Sequence, residues 1–176
     1  MTIIKKILPF KESKICCVGH AAIVMGILEN YETDLIKTWF INSMINMRTW
    51  FLPTSIDIRF DTEFGDNEFK NCPLLEQHFI PVEMVKSYGL DIATIAMNMI
   101  DEDRYPGFLC DQYYFKFCKY NYMNKHHSHF ALIYGYDKSS QTFNIADYFN
   151  NKFSFEKVSF DELRGAFLSP YCKSEH

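Results

Sequence analysis

The feature that most constrains this chain is a series of short alternating apolar runs between Phe108 and Val158. HFALIYGY (129–136) and TFNIADYF (142–149) flank the polar segment DKSSQ. Two such runs around a polar turn are the signature of a β-hairpin. KFSFEKV (152–158) follows and sets Phe153 and Phe155 against Ser154 and Glu156, the period of two that a half-buried strand requires. FLCDQYYF (108–115), just after Pro106-Gly107, reads as a further strand.

Upstream the pattern is helical. Residues 17–30, CVGHAAIVMGILEN, place Ala21, Val24, Met25 and Leu28 on one stripe of a buried helix. Thr33 and Asp34 are suited to cap a helix through DLIKTWFINSMINM, ended before Pro53. SIDIRF (55–60) alternates and reads as a strand. Pro81 opens VEMVKSYG, which Gly89 closes. DIATIAMNMIDED (91–103) suits another helix, with Asp91 or Thr94 near its start. Ser159 and Glu162 have the spacing of a capping box for a last helix. Helices followed by an antiparallel sheet define an α+β fold, with the N-terminal helices expected to pack on the C-terminal sheet.

Composition narrows the class. The chain has 176 residues, 48% hydrophobic and 23% charged, with neither an internal repeat nor a low-complexity linker, so one domain over 1–176 is expected. A net charge of −4 without a long basic run argues against nucleic acid as a partner. The longest apolar stretch, AAIVMGIL, is far shorter than the roughly 20 residues of a spanning helix. MTIIKKILPFKESKICC does not have the form of a signal peptide, because its apolar part is short and charges follow at once. A cytoplasmic protein with no membrane partner is therefore expected. Its six cysteines are too sparse for a disulfide scaffold and are expected to be reduced. Cys110, Cys118, His126 and His127 do not have the spacing of a structural zinc site. GDNEF (65–69) is not a phosphate loop, and no dinucleotide fingerprint occurs. No metal and no cofactor are expected.

Two pairs of residues carry chemistry. His129 begins one strand and Asp147 closes the next. Cross-strand neighbours have Cβ atoms about 4.5–5.5 Å apart, so a carboxylate–imidazole hydrogen bond is within reach. Such a bond fixes the tautomer and frees the other ring nitrogen to act as a base, while a surface ion pair is the plainer reading. Cys16 and Cys17 lie where a loop becomes a helix. A thiol there meets unpaired N–H groups that favour thiolate and can stabilise an oxyanion; the plainer reading is two small buried residues. A Cys on an N-terminal helix with His and Asp on a later hairpin is the layout of papain-like enzymes.

The segments NCPLL (71–75), DQYYF (111–115), HFALIYGYD (129–137), FNIADYF (143–149) and SFDELRGAF (159–167) resemble, in order and spacing, the N-terminal domain of butirosin biosynthesis protein H and its relatives. A more distant similarity runs to the peptidase domain of bacteriocin-processing transporters. The resemblance implies a papain-like fold and a Cys-His-Asp acyltransferase. Such an enzyme moves an acyl group from an acyl or peptidyl carrier-protein thioester to a small-molecule amine, in peptide or aminoglycoside biosynthesis. It assigns His129 as general base and Asp147 as its orienter. Gly135 and Asp137 fall in a structural turn. Asp111, Tyr113 and Tyr114 match a motif that is expected to line the substrate cleft, with packing as the alternative for the tyrosines. Cys17, with Ala21 four residues on, matches the nucleophile, and Cys16 does not. PFKESK (9–14) offers no glutamine in the papain-like oxyanion position, so the Cys17 backbone N–H is expected to carry more of that role. His126 and His127 are expected in solvent or at the cleft rim. The expectation is thiol-dependent acyl transfer or hydrolysis; the alternative is a non-catalytic binding module that retains the fold.

Overall fold

The computed structural model describes residues 3–12, 19–31, 33–43, 47–51, 56–60, 72–78, 80–150 and 152–172. Its elements in chain order are β1 (Lys5–Ile7), α1 (Gly19–Leu28), α2 (Thr33–Ser43), β2 (Met47–Phe51), β3 (Ile56–Phe60), α3 (Val82–Ser87), α4 (Ile92–Asp101), β4 (Gly107–Asp111), a 3-10 turn (Gln112–Tyr114), β5 (Ser128–Asp137), β6 (Thr142–Phe149), β7 (Lys152–Ser159) and α5 (Phe160–Leu168). The chain is α+β with an antiparallel sheet. It forms two compact units, Lys11–Phe79 and Met1–Phe10 with Ile80–His176.

In the unit Lys11–Phe79, every residue from Ala22 to Leu28 is buried, as the apolar sequence of α1 demands. Val24, Met25 and Leu28 cluster with Ile36 of α2 and with Cys72, and Trp39, Leu74 and Leu75 pack against them. α2 ends at Ser43, earlier than expected, and Met47 begins a strand instead. The segment MRTWF is rich in residues that favour extended backbone, and it pairs antiparallel with β3 from Met47↔Phe60 to Phe51↔Ile56.

The other unit is built on β5. One edge of this ten-residue strand takes β6, and β6 takes β7. The opposite edge is shared between two strands. β4 covers its first half, from Asp111↔Ser128 to Gly107↔Leu132, and β1 covers its end, from Ile7↔Gly135 to Lys5↔Asp137. The register with β6 shifts between Ile133 and Gly135. A Cβ on Gly135 would stand 2.9 Å from the Lys6 carbonyl oxygen, so glycine is what lets β1 lie so close. β1 has too few residues to show a period and is not legible from sequence.

α4 and α5 cover one face of this sheet. Ala93, Ala96 and Ile100 of α4 and Leu163 and Ala166 of α5 meet Ala131, Ile133, Phe143, Ile145 and Val158 in a closed core. The helix ends are fastened by polar groups. Asp91 caps α4 and is gripped by Arg164 of α5 through Nε and Nη2 at 2.8 and 3.0 Å. Those bonds hold the Asp91 carboxyl well below the usual range. The buried Tyr136 donates to Asp101 at 2.6 Å. Ser159 and Glu162 form the expected capping box on α5, and Gly89 follows α3 at φ +60°.

The alternation of β7 holds, but its apolar face is not the core face. Val158 is buried against the helices, and Ser154, opposite Asp147, lies on that same face. Phe153 and Phe155 project the other way and join Phe10 and Tyr134 in an aromatic cluster with centroids 5.4–6.3 Å apart. Period alone identifies two faces without saying which is covered. Within this unit, α4 and α5 are the helices whose buried residues pack into the sheet core.

Leu163 is fully buried at the centre of this core. Leu163→Ala is expected to cost about 2–5 kcal/mol, seen as a lower urea midpoint.

Candidate functional site

The polar half of the sheet unit lies where β4, β5 and β6 run out. β4 stops at Asp111, short of the strand expected through Phe115, because the Asp111 side chain accepts the Tyr113 N–H at 3.1 Å and turns the chain into a 3-10 turn. A loop then returns to β5. It is pinned by Gln112 N donating to His127 O at 2.9 Å and by Met123 N donating to Tyr113 O at 3.0 Å. Asn150 staples its far side, accepting from Lys119 N and donating to Phe117 O.

These segments enclose an open cleft of about 380 Å³ lined by Gln112, Tyr120, Asn121, Lys125, His127, His129, Tyr148 and Asn150. Among the described residues no carboxylate lines it. His129 stands on its wall, about one-third exposed, and its Nδ1 is hydrogen-bonded to Oδ2 of the buried Asp147. The Phe130 carbonyl lies 3.1 Å from the same nitrogen. Continuing the Leu132↔Ala146 register sets Asp147 opposite Ala131, so His129 reaches the carboxylate on the diagonal. The bond to Asp147 pushes the imidazole pKa above its usual value against the opposing effect of burial. Nδ1 is thereby the protonated nitrogen, and Nε2 is left without a partner among the described residues.

A second histidine–aspartate pair joins His126 and Asp111. Asp111 is fully buried and accepts hydrogen bonds from Tyr113 N, His127 N and Ser169 Oγ, with His126 Nδ1 at 2.7 Å. Burial would raise its pKa, but these bonds, led by Ser169 and His126, outweigh it and hold the carboxyl low. The His126 ring is stacked between Tyr113 and Tyr171, with centroids 4.3 and 3.8 Å away. Tyr114 packs on the core and lies against Gly165, where a Cβ would meet its ring at 2.8 Å.

Asp111, Tyr113 and Tyr114 are not among the residues that line the cleft around His129. Asp111 ties three chain segments together, Tyr113 holds His126, and Tyr114 packs on α5. Of the neighbouring histidines, His127 lines the cleft, its ring 5.7 Å from that of His129, and the partly exposed His126 is stacked between Tyr113 and Tyr171 instead. Cys16 and Cys17 lie outside the described residues. The other four cysteines are buried. Burial raises the thiol pKa of Cys72, of Cys118 to about 12 and of Cys172 to about 11. Cys110, the register partner of His129, is pushed well above its usual range by burial, with Cys172, Asp147 and Asp111 adding to the shift. None of these four is an activated thiol. Among the described residues no group of three or more His, Cys, Asp or Glu is placed to hold a metal ion, and no helix is long and apolar enough to cross a membrane.

No known protein family, curated protein or solved structure matches the chain. Gln112, Tyr120, Asn121, Lys125, Tyr148 and Asn150 are the cleft residues that sequence reading missed. They come from a turn, a loop, the end of β6 and a strand connection, which share no period. The local signal was the polar loop itself, KYNYMNKHH, between two apolar strands.

Asp147→Asn is expected to lower the His129 pKa, followed by imidazole proton shifts in an NMR titration. A raised folded-state pKa stabilises the fold below the unfolded imidazole value of about 6.5 and ceases to do so as pH rises through the folded value. The variant should lose this acid-side increment of stability. Asp111 has the opposite sign. Its contribution is present above the unfolded carboxylate value and lost as pH falls through the lowered folded one. Asp111→Ala leaves four donors unmatched and should cost roughly 3–5 kcal/mol at neutral pH, measured by chemical denaturation.

Proposed function

We propose that this protein carries out cysteine-dependent acyl transfer or hydrolysis on a thioester or amide, with Cys17 as nucleophile, His129 as general base and acid, and Asp147 as the group that orients His129. The observation that supports this most is the His129–Asp147 pair at the wall of a cleft that no carboxylate lines among the described residues. A buried carboxylate on Nδ1 leaves Nε2 to take a proton and stabilises the imidazolium that results. A protonated imidazole in turn favours thiolate. The four described thiols are buried and deactivated, which leaves Cys16 and Cys17 as the cysteines available for such a role.

In the reaction proposed, the Cys17 sulfur bonds to the acyl carbon as its proton passes to His129 Nε2. The bond to the leaving group then breaks, and the leaving thiolate or amine takes the proton back. An amine or water attacks the acyl-enzyme with His129 again as base, which regenerates the thiol. The family resemblance set out above supports a papain-like fold of the butirosin biosynthesis protein H type. It also favours transfer to a small-molecule amine over hydrolysis, with an acyl or peptidyl carrier protein as donor.

Alkylation by iodoacetamide across pH tests the reading. The native protein is expected to lose one thiol well below pH 8, with the product mapped to Cys17 and absent in Cys17→Ala. His129→Ala should slow that reaction by at least about tenfold near neutrality, the change in thiolate fraction that one unit of thiol pKa represents. If every accessible thiol reacts as an ordinary one with a pKa near 8.5, the protein is a non-catalytic module.

A further inference from the structure

Lys125, His127 and His129 are alternate residues on the approach to β5 and at its start. Gln112 N donates to His127 O at 2.9 Å, which carries the β4–β5 pairing past Asp111↔Ser128. Alternate side chains of paired backbone share a face. All three line the cleft, whereas His126 between them turns to Asp111. Their backbone is held in place, since Lys125 N donates to Asn121 O at 3.0 Å and His127 N to Asp111 Oδ1 at 3.1 Å. Their polar ends are open. Among the described residues Lys125 Nζ, the His127 ring nitrogens and His129 Nε2 have neither a hydrogen bond nor an ion pair. The chain carries 22 acidic side chains and a net charge of −4, yet among the described residues no carboxylate lines this cleft. The buried carboxylates of Asp147 and Asp111 are engaged, the first by His129 Nδ1 and the second by His126, Ser169 and two backbone N–H groups. Cys110, the β4 register partner of His129, stays a neutral thiol because burial pushes its pKa well above the usual range. A wall with one ammonium and two imidazoles attracts an anion and repels a cation.

We propose that this cleft binds a phosphate dianion, inorganic or carried as a small phosphate monoester, with Lys125, His127 and His129 Nε2 as its donors. All of these residues belong to the sheet unit, and neither Cys17 nor acyl chemistry enters. Charge argues for phosphate over carboxylate. Lys125 alone neutralises a carboxylate, whereas a dianion needs a second positive charge. The bond from His129 Nδ1 to Asp147 supplies it, because it favours the imidazolium and makes Nε2 a donor. A phosphate monoester loses its second proton at about pH 6. His129 stays protonated above the ordinary imidazole value of about 6.5. Dianion and imidazolium therefore coexist over a window of pH between those two events. The His127 and His129 rings are 5.7 Å apart. One anion with several terminal oxygens bridges that gap, each charged N–H···O bond spanning about 2.8 Å. The cleft of about 380 Å³ lies within the size of small-molecule sites and leaves room for the organic part of a monoester against Tyr120 and Tyr148.

Histidine side-chain NMR of the full chain at pH about 6.5 and constant ionic strength tests the site with inorganic phosphate, glycerol 3-phosphate and acetate. The two phosphates are expected to shift the His127 and His129 ring signals along saturating curves and to raise the His129 pKa. Their affinity should fall as pH rises through that pKa, because Nε2 then ceases to donate. Lys125→Gln and His127→Gln each remove one charge-assisted donor from an exposed position, which leaves the fold intact. Each should weaken phosphate at least about tenfold, the least that one hydrogen bond to a charged group contributes. Acetate should bind the native protein more weakly than phosphate by a similar factor. Lys119→Gln, in the same loop but off the cleft wall, should stay within about twofold. Tighter binding of glycerol 3-phosphate than of inorganic phosphate assigns a monoester, and the reverse assigns the free ion. Shifts that stay linear in phosphate overturn the site. Acetate bound as tightly as phosphate overturns the dianion, and an equal loss in Lys119→Gln overturns the cleft as its location. Saturable phosphate binding by a protein whose Cys17 reacts as an ordinary thiol upholds this site while the acyl reading falls.

Discussion

β5 is paired along both edges, and the rest of the sheet unit depends on it. Its ten residues are too many for β4 or β1 alone to cover, so two strands divide one edge between them. Where they meet, Ile133 N donates to Pro106 O and Leu8 N donates to Tyr134 O, so the backbone ladder stays satisfied across the gap. The helix-covered face of β5 supplies Ala131 and Ile133 to the core. One more step toward the start of the strand brings His129 out of that core at the cleft wall. The same alternation that buries the strand therefore sets the height of the histidine.

Two carboxylates lie under this end of the sheet, and the fold uses them differently. Asp147 is buried with one histidine partner whose ring reaches the cleft. Asp111 is buried with three further donors besides its histidine, and that ring is held between tyrosines. A carboxylate shared among many donors is a structural knot. One committed to a single exposed imidazole tunes that imidazole. The difference lies in what surrounds each pair, since both are histidine–aspartate contacts of similar residue types.

Much of the scaffold is written in local pattern. The hairpin of β5 and β6, the strand β7, the capping box of α5 and the glycine after α3 follow from periodicity and end signals that act within a few residues. The pairing of His129 with Asp147 is nearly local too, because a hairpin register brings the two strands together. β4 illustrates the limit. Its apolar pattern runs on through Phe115, yet the Asp111 side chain captures the backbone and ends the strand. The apolar residues beyond it instead serve the core from a turn, as Phe115 does.

The sequence by itself determined the α+β class, most of the strands and the closeness of His129 to Asp147, because strand periodicity and hairpin closure are short-range constraints. Tertiary structure alone decided which face of β7 is covered, since Phe153 and Phe155 have the same period whichever side the helices take. It also separated Asp111 from Asp147, because their roles depend on donors 15 to 58 residues away in the chain. Gln112 belongs with these. Its amide lines the His129 cleft only because β4 ends, the loop returns and Asn121 takes its oxygen, three events that no local pattern encodes.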